Sequence, residues 1–411
     1  MRRFAVILLV FGLVVIACSS GDDSSDETGA TATSEAAPDS SATAPDTTET
    51  AATTTSIPTA DSGDFRIATY NTGLAPGFVP LLAERQPLVG EAIADLDADV
   101  VFVQEVWTPE SVSALREATS SAFPETVFPE PIPDTEPGAP ACTVDELADL
   151  LGCIEQNCAD ASPDELVECV LSSCGAQFGE LCEECQTCIG ANVGNTVEEA
   201  VANCTTASSA FAYEGSVGIG LLSNAVIQDS DVLVLDSSLN RRAVLHAVVD
   251  TEAFGPVHVF GTHLSAVFSD IPYPDEGTWE QEQATQIADL LAYIDSRAEP
   301  GDPVVLLGDF NTGPAGERYQ AEVAANYDLL TAAMFANPYT DDPEAECTFC
   351  GDNPLVGGDA AVVIDHVLTR GVEGPAAAER ILDGSITVSV DGADTPTALS
   401  DHYGVMLTLS G

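Results

Sequence analysis

The order of apolar and polar positions divides the chain into stretches of different character. Phe4–Ala17 is an unbroken apolar run behind Arg2 and Arg3, and it ends at Cys18. At ~1.5 Å per helical residue it falls short of a bilayer core, so the pattern predicts an export signal rather than a spanning helix. From Ser19 to Gly63 the residues are mainly Ser, Thr, Ala, Asp, Glu and Pro. Such a segment cannot bury enough apolar surface to offset its ordering entropy and is expected to be a disordered, extended tether. Beyond it, β-rich runs predict strands over Phe65–Asn71, Asp99–Val106, Gly218–Ser223, Ala243–Val249, Val257–Leu264, Val304–Phe310, Val362–Leu368 and Tyr403–Leu409. Several are continuously apolar, the mark of a sheet covered on both faces. Leu81–Leu96 and Trp279–Arg297 carry helical periodicity. Two sheets packed face to face with helices outside accommodate this list, an α/β class of fold.

One stretch, from about Phe128 to Ala210, breaks the alternation. It holds nine of the 12 cysteines and two helix-start signatures, Thr143-Val-Asp-Glu146 and Ser162-Pro-Asp-Glu165. Each is a capping box, in which the hydroxyl accepts from the N3 amide and the Glu reaches back to the cap amide. Each leads into a short apolar helix with cysteines spaced C-x4-C, Cys153 and Cys158, then Cys169 and Cys174. Residues 128–210 are therefore expected to form a cysteine-rich helical insertion within a domain spanning 64–411. Cys182-x2-Cys185-x2-Cys188 has a spacing that metal sites also use. An exported chain meets an oxidising compartment, so disulfides are the expected state. Cys347 and Cys350 could close on each other or pin the insertion to the core. Without Cys18 an odd eleven cysteines remain, which predicts one outside the intramolecular pairs.

Charge narrows the partners. The 411 residues include 67 acidic and 11 basic ones, for a formal net charge of −56, and the basic ones are all arginine. Nucleic-acid binders gain affinity by neutralising phosphates with basic side chains, so long polynucleotides are disfavoured as partners. Hydrated carboxylates also serve simple solubility in a salty medium.

Candidate chemistry gathers at strand ends: Tyr70-Asn71, Gln104-Glu105, Thr262-His263-Leu264, Gly308-Asp309-Phe310-Asn311, Ile364-Asp365-His366 and Ser400-Asp401-His402. These polar residues follow apolar runs that would deliver them to one rim. They supply the carboxylates, amides and imidazoles needed to bind a hard cation, orient a phosphoryl group and activate water. In this order, from Tyr70 to His402, the motifs resemble those of the endonuclease/exonuclease/phosphatase superfamily, which includes DNase I-like nucleases, inositol-phosphate phosphatases and neutral sphingomyelinases. The resemblance runs from Phe65 to Leu409, skipping the cysteine-rich stretch. It implies a four-layer sandwich of two mixed β-sheets flanked by helices, and chemistry dependent on Mg²⁺ or Mn²⁺. It also implies Glu105 as the main metal ligand with Asn71 beside it, and Asp401 positioning the metal or the base. His402 would be the base for the attacking water, and Asp309 and Asn311 would hold the phosphoryl group and nucleophile. His263 would donate to a phosphate oxygen, and Asp365 would fix the tautomer of His263 or of His402.

Plainer roles are expected elsewhere. Thr69, Tyr70 and His366 read as structural, and His246 and His258 as packed or surface residues of a strand. Trp107 is either core or a rim aromatic. Arg241-Arg242 could clamp a phosphate or simply start a strand. Val15-Ile-Ala-Cys18 resembles the bacterial lipoprotein box, which implies a lipidated Cys18, residues 1–18 as its signal, residues 19–63 as a leash, and an envelope location. Val257–Leu264, the Gln-rich Trp279–Arg297 and Cys347–Leu355 resemble the sphingomyelinase branch, which implies a lipid or small phosphodiester substrate. The cysteines depart from that branch. Phe268–Tyr273 is the candidate for its membrane-contacting segment.

Overall fold

The apolar runs become the strands of two facing sheets. The computed structural model describes residues 63–133, 138–161, 166–268, 273, 277–374 and 376–411. The Phe4–Ala17 run, Cys18 and all of the tether but Gly63 lie outside them, as does the second capping box at 162–165.

The chain begins with β1 (Asp64–Leu74), α1 (Leu82–Ala94), β2 (Val100–Val106), α2 (Pro109–Thr119) and β3 (Glu125–Val127). Four helices follow: α3 (Val144–Asn157), α4 (Leu166–Phe178), α5 (Glu183–Ala191) and α6 (Val197–Cys204). The chain returns through β4 (Ile219–Ser223), β5 (Ile227–Leu235), β6 (Arg242–Thr251) and β7 (Gly255–His263). Next come α7 (Trp279–Arg297), β8 (Val304–Asp309) and α8 (Ala324–Ala332). The remainder is β9 (Phe349–Cys350), β10 (Ala361–Val362), β11 (Asp365–Arg370), β12 (Ala376–Ile381), β13 (Ser385–Val390), β14 (Ala393–Ala398) and β15 (Gly404–Ser410).

A six-stranded sheet has the order β12-β15-β1-β2-β4-β3, and a five-stranded sheet the order β11-β8-β7-β6-β5. Both are mixed, because β1 and β2 are parallel, as are β7 and β8, while their other neighbours run antiparallel. The inner faces meet in a core that includes Ile67, Phe102, Leu245, Val259, Leu307 and Val405. Outside the first sheet, Val89, Ile93 and Leu115 of α1 and α2 cover Val101 and Val103. Outside the second, Ile287, Leu290 and Ile294 of α7 cover Val304 and Leu306. The result is the expected four-layer sandwich, with strands apolar on both faces because both are covered.

The helical insertion leaves after β3 and rejoins before β4. Its first capping box is formed: Thr143 Oγ1 accepts from the Glu146 amide, and the Glu146 carboxylate from the Thr143 amide. α3 and α4 are joined by Cys153–Cys174 and Cys158–Cys169, so the paired C-x4-C spacings lie side by side. Cys142–Cys185 and Cys188–Cys204 close the rest, and Cys347–Cys350 closes on itself. Cys182 caps α5, with its amide donating to Glu146 Oε1 at 2.9 Å.

Two departures from the sequence pattern have physical causes. The expected strand Val362–Leu368 is interrupted: β10 ends at Val362 and β11 starts at Asp365. The amides of Ile364 and Asp365 donate instead to Thr348 Oγ1, a side-chain acceptor standing in for a ladder carbonyl. β5 escapes the reading because it is an edge strand whose Gln-Asp-Ser stretch faces solvent.

Candidate active site

The parallel pairs β1–β2 and β7–β8 bring their ends to one rim. Register places Asn71 opposite Gln104, and Asp309 opposite both His263 and Asp365. Two glycines make the approach possible. A Cβ on Gly308, at φ 143°, would collide with the Thr262 carbonyl, and one on Gly73, at φ 56°, with the Asp401 carboxylate. Glu105 and Asn311 occupy the left-handed region without being glycine, at φ 60° and 50°. Such strain costs of order 1–3 kcal/mol and persists where the surroundings over-determine it, commonly at functional sites.

Asp309 is the hub. Asn71 Nδ2 donates to its Oδ2 at 2.9 Å and the Asn311 amide to its Oδ1 at 2.9 Å. The same Oδ2 lies 3.4 Å from His263 Nε2 and 3.9 Å from His402 Nε2. His402 Nδ1 lies 2.9 Å from Asp365 Oδ2, so Asp365 serves His402 rather than His263. With Nδ1–H donated there, Nε2 is the atom His402 presents towards Asp309. Asn311 is tied down further, its Nδ2 donating to the Leu264 carbonyl and its own carbonyl accepting from Gln283.

The electrostatics show a buried excess of negative charge. Burial, then the nearby Asp401, push the Glu105 carboxyl up to about 8, and its Oε2 is shielded from solvent without a donor. Burial and Asp365 push Asp309 up to about 6. Burial alone would lower His402, but Asp365, Asp309 and Asp401 outweigh it and hold the imidazole well above its ordinary range. His263 feels burial and the Arg242 charge, and is held well below that range. Asp309, Asp365 and His402 could together hold an ion by distance alone. Asp365 is already committed to His402, however. Glu105, Asn71 and Asp401 offer the oxygen donors a hard cation takes; Asn71 Oδ1 accepts from the Gly73 amide and Asp401 Oδ1 from Ser400, while Glu105 Oε2 has no donor.

Several groups that complete the site stand outside the six rim motifs. Arg85, fully buried on α1, donates to the carbonyls of Pro80 at 2.9 Å, Gly73 at 2.6 Å and Leu399 at 2.8 Å, tying the end of β1 to the Ser400–Asp401 loop. Its spacing sets it in line with Val89 and Ile93 on the buried face of α1, but nothing in the sequence says which carbonyls it meets. Asn353 Nδ2 donates to the Ser400 and Asp401 carbonyls at 2.8 and 3.2 Å, and the Thr348 carbonyl accepts from the Tyr403 amide. The Cys347–Leu355 segment thus props the His402 loop, with the Phe349 ring 5.0 Å from the imidazole. Arg242 is buried; its Nε and Nη1 have no hydrogen-bond partner among the described residues. It lies 5.7 Å over Trp107, whose ring stacks on Tyr213 at 4.9 Å and sits 6.2 Å from His263. Arg241, by contrast, stacks on Phe211 away from Arg242's neighbours, at 3.6 Å.

The other candidates are structural. Thr69 and Tyr70 are fully buried. His366 is fully buried between the Thr312 carbonyl and Asn337 Nδ2, each at 2.9 Å. His246 packs with Asp231, His258 and Phe260 on the second sheet. Most of Phe268–Tyr273 lies outside the described residues; Phe268 and Tyr273 themselves meet Trp279 edge-on at 5.0 and 5.1 Å.

The sequence of residues 68–402 matches the Endonuclease/Exonuclease/phosphatase family. No curated protein sequence matches the chain. Among solved structures, SmcL superposes with a TM-score of 0.53 at 14% identity, covering 85% of this chain and 99% of its own. Beta toxin from Staphylococcus aureus gives 0.52 at 13%, covering 84% and 100%. Sphingomyelinase C from Streptomyces griseocarneus gives 0.51 at 18%, covering 85% and 100%. At these identities the likeness is one of fold.

Proposed function

The chain belongs to the endonuclease/exonuclease/phosphatase family, and from that premise we propose that it hydrolyses a lipid or small phosphodiester by in-line attack of water activated at His402. The observation that carries this reading is the 2.9 Å contact of His402 Nδ1 with Asp365, which leaves Nε2 facing Asp309 beside Glu105. His402 Nε2 takes the proton of the attacking water as the new P–O bond forms. Asp365 holds the imidazole in the required tautomer. Asp309, anchored by Asn71, fixes the line of attack, and His263, kept neutral by burial, has Nε2 placed to donate to a phosphoryl oxygen. The bond to the leaving oxygen breaks on the opposite side, and that oxygen takes up a proton from solvent. If bound by Glu105, Asn71 and Asp401, Mg²⁺ or Mn²⁺ would supply positive charge against the charge gathering on the phosphoryl oxygens and would offset the carboxylate field that raises the His402 imidazole, leaving Nε2 able to accept a proton. Arg242, buried with unpartnered donors, supports a phosphate-clamping role.

The sphingomyelinase-like choice of a lipid head group is supported by the acidity of the chain, by the segment around His263, and by the apolar signal that ends at Cys18. That signal supports export, lipidation at Cys18, and an envelope location with the catalytic domain on a leash. Chelation is expected to abolish turnover and Mg²⁺ or Mn²⁺ to restore it. Glu105→Gln and His402→Ala should each lose at least ~100-fold. Assays on sphingomyelin, phosphatidylcholine, a soluble diester and plasmid DNA decide the substrate; cleavage of DNA alone would replace this reading with a nuclease. Mass spectrometry of the mature N-terminus checks Cys18, since a soluble chain starting elsewhere would remove the anchor.

A further inference from the structure

The insertion does more than fill its own interior. Leu147, Leu181 and the disulfides form its core. Packed against that core, half-buried Leu151 and Ile154 of α3 and Val170 of α4 line, together with Phe78, Leu239 and Trp279 of the main domain, an apolar cavity of about 160 Å³. Phe78 is 44% exposed, and Leu239 holds the left-handed conformation at φ 61°. An enclosed apolar cavity of about 150 Å³ accepts a small hydrocarbon, and this one is open at the Phe78 rim, where a longer chain can enter. The chain carries 67 acidic residues, yet among the described residues none lines this cavity. The one charged lining side chain is Arg242, which also faces the catalytic carboxylates Asp309 and Glu105. Ala266 lines both this cavity and the opening over Asn311 and His402.

An apolar trough, a cation in its lining that also faces Asp309 and Glu105, and a phosphoryl-cleaving centre next to it match one kind of ligand, a hydrocarbon chain attached to a phosphoester. Resting on the phosphodiesterase reading above, we propose that the cavity between α3–α4 and the main domain receives the hydrocarbon chain of the substrate, with Arg242 at the junction between chain and phosphate. The insertion is then the specificity element that restricts turnover to amphiphilic diesters.

The test is a series of alkyl p-nitrophenyl phosphates, methyl to octyl, assayed below their aggregation limit with the full chain and Mg²⁺. For the wild type, kcat/KM should climb by up to about fourfold per added methylene before levelling off. Val170→Trp, which fills the trough, and Phe78→Ser, on the rim outside the insertion, should flatten the climb while the methyl diester is cleaved as before. A flat wild-type series, or an unchanged climb in both variants, would overturn the proposal. So would a flat series accompanied by self-association that Phe78→Ser abolishes, which would make the surface a contact between copies. Calorimetry with n-decyl phosphate against methyl phosphate reads the cavity without turnover. Wild-type binding of only the decyl ester, weakened about tenfold or more in both variants, supports it; equal affinity for the two esters defeats it. Loss of turnover on every diester with intact decyl binding would sink the phosphodiesterase reading and leave the cavity standing.

Discussion

The catalytic rim and the cysteine-rich insertion are opposite solutions to holding a chain in place. The rim sits on two sheets whose strands are buried on both faces, with Ile67, Phe102, Val305 and Leu307 at 0% exposure. That support lets it hold groups that would be unfavourable alone: Glu105 with an orphaned oxygen, Arg242 with orphaned donors, Asp309 ringed by imidazoles. The insertion has helices of 8 to 14 residues, too short to be stable alone, and many of its apolar side chains are only half buried. Four disulfides reinforce a core that is small. A deep core can pay for buried charge; a cross-linked shell can leave apolar surface open to a ligand.

The largest effect that would sharpen this contrast is at Arg85. Replacing it with Met strands the Pro80, Gly73 and Leu399 carbonyls in a buried site, each worth about 1–3 kcal/mol. Urea unfolding should show about 4 kcal/mol or more of global destabilisation. A loss under about 1 kcal/mol would mean that the rim does not depend on this arginine.

Next comes Cys153→Ser with Cys174→Ser. Opening this bridge, whose sequence separation is 21, should cost about 3 kcal/mol, confined to the insertion. Hydrogen exchange should quicken in α3 and α4 and leave the two sheets protected. Equal loss of protection in the sheets would break the comparison by making the two regions one cooperative unit.

Arg242→Met should separate function from stability, at about 2 kcal/mol in transition-state energy. Its charge is buried without hydrogen-bond partners at Nε and Nη1, so an apolar replacement should leave stability unchanged or raise it. Turnover of a soluble diester should fall ~10–100-fold if the guanidinium meets the phosphate. Full activity would return Arg242 to a merely structural place.

These residues also mark what was legible. Strand positions and the rim motifs could be read because continuous apolar runs end in residues whose chemistry stands out, such as Asp309 and His402. The paired C-x4-C spacings announced disulfides in α3 and α4 without saying which cysteines pair. The contacts of Arg85, Thr348 and Asn353 could not be read, although Cys347–Leu355 stands out as a segment, since each acts through backbone atoms that other segments supply. Asp365 could be placed but not its partner, because whether it meets His263 or His402 depends on the loop after Ala398. The split before β11 was hidden for a similar reason: the acceptor that replaces the ladder belongs to Thr348. The apolar trough was invisible because the periodicity of α3 and α4 marks an apolar face without naming what covers it.

The effect that is smallest near neutral pH concerns His366, on the core side of the contrast. It is fully buried with Nε2 2.9 Å from the Thr312 carbonyl and Nδ1 2.9 Å from Asn337 Nδ2, an arrangement that needs a neutral ring with its proton on Nε2. Burial pushes its pKa down to about 4 from the usual 6.5. A depressed folded-state pKa means that the unfolded chain binds the proton first as pH falls. Stability from this group is therefore complete above about pH 6.5 and drains away down to about pH 4. The loss should be about 1 kcal/mol between pH 7 and 5.5, and about 3 kcal/mol once pH has passed through 4. The raised carboxyls of Glu105 and Asp309 drift in the opposite direction over part of this range, so the wild-type curve alone does not isolate His366. His366→Gln keeps a donor for the Thr312 carbonyl and cannot be protonated. The wild-type minus variant difference in unfolding free energy should then fall with decreasing pH by these amounts. A pH-independent difference would show that the core opens to protonate the ring without cost, and the core would then be no more rigid here than the disulfide-held shell.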